Sequence, residues 1–186
     1  MPQRYTRPAI ILHWLIAAMI AVNVALAWTW DHLPDAVVRP TIDVHKSIGV
    51  TVLGLALLRL LWRLTHPAPA LPAGYRKWER VLSFFVHGLL YSLLFALPLS
   101  GWIMDSAYEQ AAAHPMHWFG LFEWPRLAPI MQLDPAKKKY IHDLFGAGHE
   151  WSSYVLYALV ALHVVGALKH QFLDRTRELQ RMMLRG

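Results

Sequence analysis

The sequence predicts an all-α integral membrane protein, a four-helix bundle threaded up-down-up-down with both termini cytoplasmic. Three observations predict it. Apolar residues make up 56% of the 186-residue chain and charged residues only 16%, whereas a soluble domain carries about 25% charged residues. Four segments stay apolar over the roughly 20 residues that a helix needs to cross a bilayer. The basic residues gather in alternate connections, which is a topology signal, and form no single patch of the kind that binds nucleic acid. The length suits one domain, 1–186, and no internal repeat or low-complexity tract interrupts it.

The first span is expected at about residues 9–30. Its Ala25-Leu26-Ala27 resembles a signal-peptide cleavage site, but the apolar run exceeds the usual 7–15 residues of a signal, and it carries His13, so the span is expected to be retained. The second is expected at about 44–64 and the third at about 81–104, where Pro98 followed by Gly101 predicts a kink. The fourth is expected at about 148–168. Between the third and fourth lies a long connection, about 105–147. Its stretch from Trp118 to Trp124, with two Trp and two Phe, reads as an interfacial piece lying on the membrane.

Loop charge orients the bundle. The N-terminus, the second-to-third connection and the C-terminal tail carry twelve cations against Glu79, Asp174 and Glu178, a balance of +9, while the opposite side comes to −3. The positive side faces the cytoplasm, which places the long connection outside. A bacterial inner membrane is the expected location.

Absence of cysteine excludes disulfides, thiolate metal sites, iron–sulfur clusters and covalently attached c-type haem. Histidine is abundant instead: of eleven, His13, His45, His87, His149 and His163 fall in or just within the spans. Ionisable groups at such depths are expensive and usually functional, although a single one serves as often to hydrogen-bond between helices. Here five occur at matched depths. His45 and His149 begin the second and fourth spans on the outer side; His13, His87 and His163 share an inner layer. His149 and His163 are 14 residues apart, which is about 21 Å and nearly a whole number of turns, so both face one way. Two imidazoles stacked on one face suit two flat cofactors in a bundle core. Zinc or copper would want three or four converging ligands, whereas haem iron needs one or two axial imidazoles and an apolar slot. Gly49, Gly88, Gly148 and Gly166 would allow a macrocycle near the backbone. Spacing alone leaves open whether His13 pairs with His163 or with His87.

Several stretches then carry a resemblance over nearly the whole chain: YTRPAIILHW from Tyr5 to Trp14, the segment from Val44 to Arg63 with its His and two Arg, HGLLYSLLFALPLSG from His87 to Gly101, and His149 through Met183. In order, spacing and topology they resemble the bacterial cytochrome b561 family, including its superoxide-oxidising members. The resemblance implies two haem b groups, with His45 and His149 on the outer iron and His13 and His163 on the inner one. It implies that His87 is not an iron ligand and lies, with His170, near a quinone end. It further implies an electron taken from superoxide outside and passed to ubiquinone in the membrane. The outer connection looks longer here than in the family pattern.

Beside the haem ligands, Lys137, Lys138 and Lys139 are candidates for steering an anionic donor, against the reading of a solvated charge run. Arg59 is a candidate partner of a haem propionate, against simple snorkelling. Two other functions remain open on the sequence: a haem-bearing anchor and electron conduit for a separate redox partner subunit, a dehydrogenase or hydrogenase, and a haem-free transporter using histidines as a proton relay.

Overall fold

The structure is a computed structural model and describes residues 4–70 and 74–184. Helix α1 spans Arg7–Thr29 and runs into a 3-10 turn at Trp30–His32; α2 spans Asp35–Thr65 and α3 spans Lys77–Ser106. Strands β1 (His117–Trp118) and β2 (Phe122–Glu123) and the short helix α4 (Ala128–Met131) come next in the chain. Helix α5 (Pro135–Leu168) continues as a π turn at Lys169–Leu173 before the one-turn helix α6 (Glu178–Arg181). Four helical segments, Arg7–His32, Asp35–Thr65, Lys77–Ser106 and Pro135–Leu173, are long and apolar enough to cross a membrane. Closest packing runs α1 on α2, α2 on α3 and α3 on α5. The end of the bundle that bears both termini is called the inner end and the opposite end the outer one.

The bundle turns apolar side chains outward. Phe84 is 75% exposed, Leu64 72% and Trp151 71%, the pattern of a helix whose outer face meets lipid and whose backbone bonds are closed within itself. Inside, Ile16, Ile48 and Val52 form a small core joined by Met19, Ile20, Leu55 and Leu94.

Helix α5 starts earlier than the sequence suggests. Its 34 residues measure about 50 Å against a hydrocarbon core of about 30 Å, so its first turns stand outside the membrane. The start is set by local chemistry: Asp134 accepts the Lys137 N–H at 3.0 Å as N-cap, and Pro135 opens the helix where its missing N–H costs nothing. Residues 135–147, expected as loop, are therefore helix. A similar extension starts α2 at Asp35 and places Pro40 in its first turns, where freed backbone groups reach water.

The aromatic stretch from Trp118 to Trp124 also differs from expectation. It is a β-hairpin, with His117 paired to Glu123 and Trp118 to Phe122, turning through Phe119 and Gly120 at positive φ. It docks on α2: the Phe119 N–H donates to Ser47 Oγ at 3.0 Å and Trp118 Nε1 donates to Thr51 Oγ1 at 3.0 Å. Behind it, Arg126 Nε donates to Asp105 Oδ2 and Lys46 Nζ to Asp105 Oδ1, both at 2.7 Å, while Arg126 also bonds the Ala111 carbonyl. These bonds lock the outer connection onto the ends of α2 and α3.

At the inner end the tail folds back on α1. Tyr5 N donates to the Arg181 carbonyl at 3.3 Å and Trp14 Nε1 to that of Met182 at 2.7 Å. The buried Arg181 guanidinium reaches the Ala70 carbonyl at 2.8 Å and Glu178 at 3.3 Å. The reversal uses left-handed backbone at Arg175 and Arg177.

Candidate functional site

The histidine layers meet across the bundle. His45 of α2 and His149 of α5 lie with ring centres 6.3 Å apart; His13 of α1 and His163 of α5 lie 6.1 Å apart. Two imidazoles binding one metal from opposite sides, each through a bond of about 2 Å with its ring centre about 1 Å further back, have centres about 6 Å apart. His87 stands closer to His163, at 5.1 Å and edge-on.

Backbone carbonyls orient three of the rings. His45 Nδ1 lies 3.2 Å from the Asn23 carbonyl, His149 Nδ1 3.0 Å from that of Leu97, and His87 Nδ1 2.7 Å from that of Ser83. An Nδ1–H donating to a carbonyl holds the tautomer whose Nε2 lone pair is available to a metal. The Leu97 carbonyl is one residue before Pro98, and Ser100 Oγ adds a contact of 3.1 Å to the same His149 nitrogen. A Cβ at Gly101 would stand 3.4 Å from His149 Cε1, so this glycine lets the ring approach α3.

A cavity of about 640 Å³ surrounds the outer pair, walled mainly by apolar side chains such as Ile20, Val24, Leu93 and Leu94 and rimmed by Trp30, Lys46 and Asp105. Gly49 lines it, and apart from its own turn of helix nothing falls within 4 Å of where its Cβ would be. The same openness holds at Gly88, Gly148 and Gly166. An all-imidazole donor set, ring centres about 6 Å apart and, around the outer pair, a large apolar slot fit haem; the two imidazoles of the outer layer fit a tetrahedral zinc site poorly.

Arg59 sits in the inner layer, with Nε donating to Tyr91 Oη at 3.0 Å and Nη1 to the Ala9 carbonyl at 2.8 Å. It is turned into the bundle and does not snorkel. Tyr91 and the Asn23 and Leu97 carbonyls carry no sequence signal that singles them out. Lys46 could have been found, since it follows His45 directly. The lysine triad stands on the outer extension of α5, about 15–18 Å before His149 along the helix. Lys137 pairs with Asp134 at 2.9 Å and Lys139 with Asp143 at 2.7 Å, which offsets two of the three charges. His170 lies at the inner end, its Nδ1 2.6 Å from Asp174 Oδ2.

The family model described as prokaryotic cytochrome b561 matches residues 4–185. Cytochrome b561 homolog 2 of Escherichia coli (strain K12) is 30% identical over 184 residues, covering 98% of this chain and 92% of that protein. Cytochrome b561 homolog 1 of the same organism is 26% identical over 184 residues, covering 98% of each. A probable superoxide oxidase CybB of Yersinia pestis is 25% identical over 187 residues, covering 98% and 97%.

Proposed function

This chain belongs to the prokaryotic cytochrome b561 family, whose members are membrane electron-transfer proteins binding b-type haem, and from that premise we propose a diheme cytochrome that oxidises superoxide at its outer end and reduces ubiquinone at its inner end. The observation that carries the reading is the pair of imidazole couples, 6.3 Å and 6.1 Å between ring centres, stacked along one face of α5. His45 and His149 would hold the outer haem, His13 and His163 the inner one. Held there, haem would supply reversible one-electron chemistry.

The chain's own residues do the rest. The Asn23 and Leu97 carbonyls fix the outer rings, so the ligand set needs little reorganisation. The apolar wall around the outer pair excludes water. Arg59, held by Tyr91 and Ala9, places a permanent cation in the inner layer, suited to a propionate. His87, edge-on to His163, would not hold the iron and would stand on the side of the acceptor. Among the charged residues lining the slot Lys46 stands against Asp31, Asp105 and Glu150, so the rim as a whole does not steer an anion, and superoxide as donor is supported by the likeness to a probable superoxide oxidase. Superoxide gives up one electron and leaves as dioxygen; ubiquinone takes two electrons and two protons. The orientation, with both termini cytoplasmic in a bacterial inner membrane, follows from the charge balance.

The test is a reduced-minus-oxidised spectrum of detergent-purified protein with haem and protein quantified, followed by superoxide and then ubiquinone. Two b-type haems that reduce with superoxide and reoxidise with quinone support the reading. Two haems indifferent to superoxide reassign the donor to a partner subunit, and a colourless protein overturns the haem assignment. Among variants, His45→Ala should lose the outer haem alone, His163→Ala the inner one, and His87→Ala neither.

A further inference from the structure

The four long helices do not close evenly into a ring. Helix α1 packs on α2 and α5 packs on α3, with α2 on α3 joining the two halves; α1 and α5 are not among the closely packed pairs. Hydrogen bonds follow the same division. His45 of α2 reaches the Asn23 carbonyl of α1, while His149 and His142 of α5 reach the Leu97 and Met104 carbonyls of α3. Among the described residues no hydrogen bond joins α1 to α5. Two ring pairs bridge them instead: Trp28 with Tyr157 at the outer level, 5.3 Å apart and edge-on, and His13 with His163 at the inner level.

The outer cavity has a closed end and an open side. Towards the outer water it is roofed by the connection after α3. Met116 lines the cavity and is 3% exposed, its carbonyl taken by the Trp124 N–H at 2.8 Å. Trp102, also on the wall, donates from Nε1 to the Pro125 carbonyl at 2.9 Å. Behind them the buried Asp105 holds both Lys46 and Arg126, and charge-assisted bonds of this kind are strong. The side between α1 and α5 is different. Trp28 and Tyr154 line the same cavity, yet they are 62% and 51% exposed, so they stand at its mouth. The Tyr154 hydroxyl donates to Glu150 Oε1 at 3.0 Å, a bond within α5 that leaves the mouth unlatched. Trp and Tyr where a span leaves the hydrocarbon belong to the interfacial belt, so the mouth faces the outer leaflet.

A rigid macrocycle cannot cross a closely packed helix pair, nor a roof held by buried ion pairs. Parting one edge-on ring pair is a smaller demand. We propose that the outer haem enters and leaves its slot sideways from the outer leaflet, through the seam between α1 and α5, with Trp28 and Tyr157 as the door. This rests on the reading that His45 and His149 hold a haem. A largely apolar macrocycle gathers in the bilayer and not in water, so the seam opens where the ligand is found. The chain has no cysteine, so thiols placed on the two sides of the door are unique.

Full-length haem-loaded protein carrying Trp28→Cys and Tyr157→Cys is joined across the seam by a short bismaleimide with a disulfide in its spacer. The detergent-solubilised protein is mixed with excess apomyoglobin, which captures any haem that leaves. The outer haem is followed by its low-spin EPR signal, assigned as the one missing from His45→Ala. The joined variant should lose this haem roughly tenfold more slowly than the same sample after the spacer is cleaved. A second pair, Thr51→Cys with Trp118→Cys, ties the roof to α2 where Trp118 Nε1 meets Thr51 Oγ1; joined or cleaved, it should lose the haem at one rate. Equal loss before and after cleavage at the seam overturns the proposal. So does a roof tie that slows loss as much as the seam tie, which marks general stiffening. A wild type that holds no haem at the outer pair instead removes the haem reading itself, a distinct result.

Discussion

Gly101 and His149 illustrate how much a single atom decides. A Cβ at position 101 would lie 3.4 Å from His149 Cε1 and 3.5 Å from Nδ1, contacts that an alanine can meet with a small shift. The branches of a valine cannot avoid the ring, and displacing it breaks the bond to the Leu97 carbonyl. Gly101→Ala should therefore keep two haems per chain, and Gly101→Val should lose the outer one; the haem-to-protein ratio of the purified variants measures this. A full haem complement in Gly101→Val would show that the ring has slack which the packing does not suggest. At this scale the histidines were legible because an ionisable group in an apolar run stands out. Gly101 read only as a companion of Pro98, since its contact joins residues 48 positions apart. His170 was legible as a juxtamembrane histidine, whereas Tyr75 became its ring neighbour only through packing.

Among the elements, the hairpin β1–β2 and the start of α5 depend on short-range chemistry that can be removed. Ser47 is fully buried and its hydroxyl serves the Phe119 N–H at 3.0 Å and the His117 carbonyl at 3.2 Å. Ser47→Ala leaves a buried N–H unsatisfied and should cost about 1–3 kcal/mol, with faster proteolysis at the Phe119-Gly120 turn. An unchanged cleavage rate would mean that Trp118 alone anchors the hairpin. The N-cap Asp134 carries a pH dependence. Its bond to the Lys137 side chain, then that to the Lys137 N–H, holds the carboxyl below the usual range. Its contribution is present above the unfolded carboxylate value of about 3.9 and lost as pH falls through the lower folded value. Protection of the amides in the first turn of α5, relative to intrinsic exchange at each pH, should fall below about pH 4 compared with pH 6, and Asp134→Ala should show low protection at both. The extension itself was hidden because residues 135–147 include three consecutive lysines, and hydropathy finds where a helix enters lipid, not where it begins.

For the molecule as a whole, the inner end is tied to the tail by the Tyr5 backbone N–H and the Trp14 indole N–H, so both termini share one side. A C-terminal reporter that is active only in the cytoplasm should be active, and an active periplasmic reporter there would reverse the topology. Because a ligand bound only by the folded state stabilises it, protein made under haem limitation should melt lower than the loaded form, and reconstitution with haem should restore the melting point. Four spans, their charge asymmetry and histidines in two layers follow from the sequence by itself, because bilayer thickness and helical rise convert position directly into depth. Which histidines face each other, which carbonyls hold them, how the outer connection locks to α2, and which side of the slot stays open were decided only by the tertiary structure. Depth is a property of one helix, but facing is a relation between helices, fixed by their rotation and packing.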